Sequence, residues 1–237
     1  KTDSPILGHV LLRVDAGRLH IAATDLERAI TTSAECEGKA GDVCVPAREV
    51  SNIVDRMPRA DITLRLVESP GKGPKLKVSA GRSSFDLVAM SGRTFPALPN
   101  TDEVDLAPLP GAALRDALER AGYAVSSDDT RPNLCVVRLG DGDAVATDGH
   151  RASWVQVEGL QGLTSGAIMV PGPSLRELAR VAADADSVDV GTDGAWLVMR
   201  ANGITVAVRL YEGGYPDIEQ VMPDRFDFHA TFDRQAL

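Results

Sequence analysis

An α+β fold of repeated domains, each combining antiparallel sheets with helices, is predicted by three observations. The chain matches itself at long period, its strand-like runs are separated by turn chemistry, and its apolar content is enough for a buried core. The repeat is the most informative of these. Ala23-Thr24-Asp25-Leu26-Glu27-Arg28-Ala29 returns as Ala146-Thr147-Asp148-Gly149-His150-Arg151-Ala152, at an offset of 123. Val45-Pro46-Ala47 returns as Val170-Pro171-Gly172, and Phe95-Pro96 returns as Tyr215-Pro216. Landmarks preserved in one order predict two homologous units of about 120 residues, an ordinary domain size. The expected boundaries are 1–103 for the first, 104–223 for the second, and 224–237 for a linker and the start of a third.

The phase of the repeat adds to this. The second unit carries a helical stretch from Gly111 to Gly122, with Leu114, Leu118 and Ala121 on one face, ahead of Arg131-Pro132-Asn133-Leu134. The first unit begins at the equivalent Ser4-Pro5-Ile6-Leu7, so its first helix is expected to be missing. Lys1 opens without an initiator Met or a signal-like segment, which predicts a truncated N-terminus. At the other end, residues 228–237 resemble 104–114, as if a third unit were starting.

Within the first unit, strands are expected at Val10 to Val14, Leu19 to Thr24, Ile62 to Val67 and Phe85 to Met90. Asp15-Ala16-Gly17 and Pro70-Gly71-Lys72-Gly73 punctuate them. After Val45-Pro46 the period changes to that of a helix. Val50, Ile53, Val54 and Met57 form its apolar stripe, and Arg48, Asn52, Arg56 and Arg59 form a polar, largely basic one. The second unit repeats this more thinly, with Leu175 and Leu178 inward and Arg176 and Arg180 a turn apart. Arg115 and Arg120 sit on the preceding helix.

Composition bounds the function. The 237 residues carry 34 acidic and 25 basic side chains, a formal charge of −9, which argues against a basic coat holding nucleic acid by overall attraction. Cys36, Cys44 and Cys135 are too few and scattered for a disulfide framework or a four-cysteine zinc site, so a reducing cytoplasm is expected. No apolar run approaches the roughly 20 residues of a membrane helix.

Local motifs are weak candidates for chemistry. Asp25, Asp148 and His150 outline a metal-dependent hydrolase as the alternative function, although no nucleophilic Ser or Cys motif accompanies them. Asp128-Asp129 after Ser126-Ser127 reads as a capped, solvated loop more readily than a cation site. Pro70-Gly71-Lys72-Gly73-Pro74 lacks P-loop spacing. Neither cofactor nor metal is expected.

Six stretches carry a family likeness: Ser4-Pro5-Ile6-Leu7-Gly8-His9-Val10-Leu11-Leu12, Ala23-Thr24-Asp25-Leu26-Glu27, Val45-Pro46-Ala47-Arg48, Ser79-Ala80-Gly81-Arg82-Ser83-Ser84-Phe85, Ala146-Thr147-Asp148-Gly149-His150-Arg151 and Glu212-Gly213-Gly214-Tyr215-Pro216-Asp217. In them the chain resembles the β sliding clamp family, the processivity subunit of bacterial DNA polymerase III. The resemblance implies a clamp fold with sheets outside and helices lining an inner face, three domains per subunit, and a head-to-tail homodimeric ring around double-stranded DNA. It further implies a non-enzymatic, nucleoid-associated protein that tethers the polymerase. A ring retains DNA by topology and needs only a sparse basic lining, which reconciles the acidic composition with a DNA partner.

By the same resemblance, duplex-contacting positions fall on Lys1, Arg48, Asp128, Pro132 and Asn133, with Arg131 able to substitute. A pocket for short Gln-, Leu- and Phe-rich motifs of the polymerase, the clamp loader, other polymerases and repair proteins falls on Leu134, Thr147, Gly149, His150, Arg151, Ala152, Pro216 and Val221. The ring-closing edge falls on Phe85 and Leu87.

Overall fold

The computed structural model describes residues 4–69, 72–157, 159–160, 166–218, 220, 228, 230–233 and 235. The first unit comprises β1 (His9–Asp15), β2 (Arg18–Thr24), β3 (Arg28–Glu35), β4 (Gly41–Pro46), α1 (Ala47–Val54), β5 (Thr63–Ser69), β6 (Lys72–Ala80), β7 (Ser83–Val88) and β8 (Met90–Ser91). The second comprises β9 (Ala107–Pro110), α2 (Gly111–Gly122), β10 (Val136–Gly140), β11 (Asp143–Thr147), β12 (Ala152–Gln156), β13 (Ile168–Pro171), α3 (Leu175–Ala183), β14 (Ser187–Thr192), β15 (Trp196–Ala201) and β16 (Ile204–Arg209).

The topologies repeat. In the first unit the order β4-β1-β2-β3 forms one sheet face and β5-β6-β7 the other; in the second, β13-β10-β11-β12 and β14-β15-β16 correspond. All these pairings are antiparallel. The units join edge to edge, since β3 pairs with β16 and makes one nine-stranded sheet across the boundary. Thr32 Oγ1 donates to Gly203 O at 3.0 Å across that seam.

Side-chain alternation places the core. Val10, Leu12, Val43 and Val45 on the first half of the long sheet pack with Leu76, Val78 and Leu87, with Val50 and Ile53 of α1, and with Met57 just after it. Val188, Val190, Leu197, Met199, Val206 and Val208 on the second half pack with α2 and α3. Through the register Ile30 to Val206 these residues share one face, so all three helices lie on the same side of the nine-stranded sheet.

The two helical layers are unequal. In the second unit α2 and α3 pack together, burying Leu114, Ala117, Leu118 and Ala121 against Leu175, Leu178, Ala179 and Ala182. In the first unit α1 has no helix beside it among the described residues and buries no residue fully. Two expectations need correction. Val54 is not core but 40% exposed, and the helix stops at Val54 rather than running to Arg59. Pro58 explains the stop, because the residue before a proline is pushed out of the helical region. Arg56 and Met57 are held by single-turn bonds to the Ile53 and Val54 carbonyls instead. Cys44 is fully buried, and burial pushes its thiol up to about 11, with the Asp42 charge adding to the effect. No helix among the described residues is long and apolar enough to cross a membrane.

Candidate functional site

The repeated Thr-Asp motif builds a turn, twice, with the same bonds. Thr24 Oγ1 donates to Arg28 O and accepts from the Leu26 amide; Thr147 Oγ1 donates to Arg151 O and accepts from the Gly149 amide. One Asp25 oxygen accepts the Glu27 and Arg28 amides, and the other accepts the Arg28 guanidinium. Asp148 does the same with His150 and Arg151. The residue after each Asp is left-handed, Leu26 at φ 79° and Gly149 at φ 90°, which suits glycine and strains leucine.

This bonding settles the alternative reading. Both carboxylates are occupied by their own turns, and Asp25 and Asp148 directly follow strands of different sheets, so a hydrolase built on Asp25, Asp148 and His150 is not supported. Among the described residues no group of three or more His, Cys, Asp or Glu is placed to hold a metal.

Both carboxyls also titrate below their ordinary range. For Asp25, burial acts upward but is outweighed by the Arg28 side-chain and backbone bonds; for Asp148, the His150 and Arg151 amides act downward. A depressed folded-state value means the unfolded chain binds protons first. The turns' contribution is therefore present above an unfolded value of about 3.9 and fades as pH falls through the folded values. An Asp25→Asn, Asp148→Asn double variant is expected to melt lower than the parent at neutral pH, with the gap closing below about pH 4. Thermal melts across pH check it, and a gap independent of pH would contradict it.

The implied pocket gathers only in part. Leu134 and Thr147 are buried beneath the turn, Gly149, His150, Arg151 and Ala152 are exposed on it, and Val221 lies outside the described residues. Arg151 also stacks over Tyr123, 5.2 Å from the ring centre. Pro216 instead lines a cavity of about 210 Å³ with Arg138, Val145, Trp154, Tyr215, Asp217 and Ile218. Of this cavity only Pro216 was expected to belong to a pocket. Trp154 had a signal, since it lies two residues from Ala152 on the same strand face, opposite Val145. The Tyr215 hydroxyl donates to Val145 O at 3.3 Å, and burial pushes it up to about 12.

The repeat-equivalent place in the first unit is also hollow: Ala22, Thr31 and Leu98, the counterparts of Val145, Trp154 and Ile218, line a cavity of about 510 Å³. Ala29, the counterpart of Ala152, is 5% exposed and packs with Val104, Leu106, Trp196 and Ala207. Arg28, the counterpart of Arg151, crosses the seam to Pro173 O at 2.8 Å and Glu177 at 3.4 Å.

The loop before Leu134 is less cationic than expected. Asp128 accepts from Thr130 Oγ1 and its amide and from Arg131 Nε at 3.0 Å, bonds that hold its carboxyl low. Arg131 is thus partly neutralised, which weakens it as a substitute cation, and its guanidinium lies beside Gly149. Pro132, Asn133 and Leu134 form a single 3-10 turn after it. Lys1 lies outside the described residues. Arg48 and Asn52 on α1, Arg56 and Arg59 after it, and Arg176 and Arg180 on α3 are exposed, and the five arginines have no ion-pair partner among the described residues, whereas Asp116 holds Arg115 and Arg120.

Comparison with known proteins decides the relationship. Residues 1–99 match the DNA polymerase III beta subunit N-terminal domain, and residues 108–217 match its central domain. The chain belongs to the DNA polymerase III beta subunit family. A beta sliding clamp from Synechocystis sp. is 31% identical over 98% of this chain, and one from Pseudomonas putida is 31% identical over 98%. The chain spans 66% and 65% of the length of those two relatives. The DNA polymerase III subunit beta from Pseudomonas aeruginosa superposes with a TM-score of 0.83 at 26% identity, over 96% of this chain and 63% of that one. A sliding clamp from Bartonella birtlesii bound to griselimycin gives 0.81 at 26% identity, over 94% of this chain and 62% of that one.

In this beta-subunit-family chain, two strand edges stand open where the internal seam is closed. β16, whose Val206 and Val208 meet β3, corresponds to β7, and β3 corresponds to β12. Neither β7 nor β12 has a strand on its outer edge among the described residues. Phe85, the counterpart of Val206, is 43% exposed on that edge. Leu87 shares its face but is buried in the core, so the expected apolar pair divides into one edge residue and one core residue.

Proposed function

We propose that this chain supplies two of the domains of a sliding clamp that encloses duplex DNA and tethers the catalytic subunit of DNA polymerase III for processive synthesis. The carrying observation is the seam: β3 on β16 unites two like units with α1, α2 and α3 on one side, and the same two kinds of edge are open at β12 and β7 among the described residues. Head-to-tail interfaces of one kind generate a ring when their rotation closes. In the full subunit, a third domain on β12 and a partner subunit on β7, with Phe85 at the contact and Leu87 behind it, complete a homodimeric ring.

The helices then face the enclosed duplex with few cations. Arg48 is the principal contact, Lys1 a second, and the Asp128, Arg131, Pro132 and Asn133 loop approaches the backbone with little net charge. Retention is topological, so the overall charge of −9 is no obstacle. Leu134, Thr147, Gly149, His150, Arg151, Ala152, Pro216 and Val221 form the near wall of a groove for short apolar motifs of the polymerase, the clamp loader, other polymerases and repair proteins. Affinity there comes from a few buried anchors. Pro216→Arg is expected to weaken a Gln-Leu-Phe peptide by about tenfold or more, by blocking an anchor.

The test uses the full-length subunit containing this chain, loaded on nicked circular DNA. It is expected to stay bound at high salt and to escape once the circle is linearised; equal loss from both forms would contradict enclosure. Arg48→Glu is expected to shorten residence and to lower the salt slope of duplex binding by about one, without altering the melting temperature.

A further inference from the structure

We propose that the outer face of the β5-β6-β7 sheet is a docking surface for an extended acidic segment of a partner protein. The internal repeat shows what this kind of face does. On β14-β15-β16 the outer face is covered by residues 98–106 of the chain itself. Leu98, Val104 and Leu106 pack there with Ala29, Trp196, Val198 and Ala207, and Arg200 donates to Thr101 O at 2.7 Å and meets Asp102 at 3.3 Å. Gly191 lets that segment's backbone lie against the sheet, since any side chain there would overlap the Asp105 carbonyl.

Matching the hairpins Ala80 to Ser83 and Ala201 to Ile204 aligns the two faces residue by residue. Lys75 stands for Trp196, Lys77 for Val198, Asp86 for Ala207 and Arg65 for Gly191. Positions that are apolar and covered in one unit are charged and exposed in the other. Arg65 and Lys77 are direct cross-strand neighbours, and Lys75 lies two residues along on the same face. Like charges placed opposite each other oppose sheet pairing, and none of the three cations has an ion-pair partner among the described residues. Asp86, opposite Lys77 on β7, offsets part of that repulsion, and carboxylates from outside relieve the rest.

The surface also distinguishes its occupant. Val88, opposite Lys75, is 69% exposed, so an apolar side chain can land beside the cations. Asp86 lies within the patch and no aromatic ring is on this face among the described residues, which disfavours a phosphate backbone or stacked bases. An acidic, partly apolar polypeptide fits both features.

The probe is a labelled, end-blocked synthetic peptide with the sequence of residues 98–106. It offers Asp102, Glu103 and Asp105 together with leucines, while the chain's own copy already covers the second unit's face. Fluorescence anisotropy at low salt is expected to show saturable binding that weakens with salt and is absent for a peptide with the carboxylates amidated. Lys75→Glu with Lys77→Glu is expected to lower affinity at least about tenfold with an unchanged melting temperature. The milder Lys75→Gln, Lys77→Gln pair is expected to fall between. Equal binding by parent and charge-reversed proteins would overturn the proposal, as would no saturable binding. Tighter lysine-dependent binding of single-stranded oligo-dT than of the peptide would overturn it in favour of nucleic acid.

Discussion

Gly191→Val is expected to cost about 3 kcal/mol or more, and to lift residues 105–106 off the sheet before the rest of the chain unfolds. The site has no slack, because the obstructing atom is the Asp105 backbone carbonyl, held between Leu106 on one side and the Arg200 anchor at Thr101 and Asp102 on the other. Trp196 reports the event, since it packs in the same cluster as Leu98 and Leu106. In a Trp154→Phe background, urea titration of the variant is expected to show a red-shifted Trp196 emission and a lower midpoint. Arg65→Val, at the equivalent exposed position, is expected to change stability by no more than about 0.5 kcal/mol. A normal midpoint for Gly191→Val would mean that the segment does not lie against β14.

Leu178→Ala is expected to destabilise by about 3 to 4 kcal/mol, and Ile53→Ala, its counterpart in the repeat, by about 1. Leu178 is 1% exposed between α2 and the sheets, whereas Ile53 sits half-buried on a helix with no neighbouring helix among the described residues. A cavity under α3 cannot collapse without pulling two helices inward, while the side of α1 is already open. Chemical denaturation with separate probes for the two units measures both. Equal costs would show that α1 is as tightly covered as α3.

Much of the architecture could be read from the residues. The paired Ala-Thr-Asp motifs gave the repeat, and α2 forms over Gly111 to Gly122 as its periodicity predicts. The first strands fall where alternation and the Asp15-Ala16-Gly17 turn put them, within one residue at each end. Periodicity failed at α1, because Val54 and Met57 keep the helical spacing while Pro58 removes the helix that would use it. The pocket was legible only along the motif. Trp154 and Val145 meet Pro216 only through the fold of the β10-β11-β12 sheet, across a stretch of sequence that local reading does not bridge.

The sequence by itself determined that there are two like units, where the first strands lie, and that a helix spans Gly111 to Gly122. All of these depend on neighbours within a few positions or on direct self-comparison. Only the tertiary structure decided that the units share one sheet, that one Thr-Asp turn is sealed across the seam by Pro173 and Glu177 while the other stays open, and that Arg65, Lys75 and Lys77 lie bare where Gly191, Trp196 and Val198 are covered. Those outcomes turn on which edge pairs with which and on what chain passes overhead, and such contacts form between residues about a hundred positions apart, beyond the reach of local chemistry.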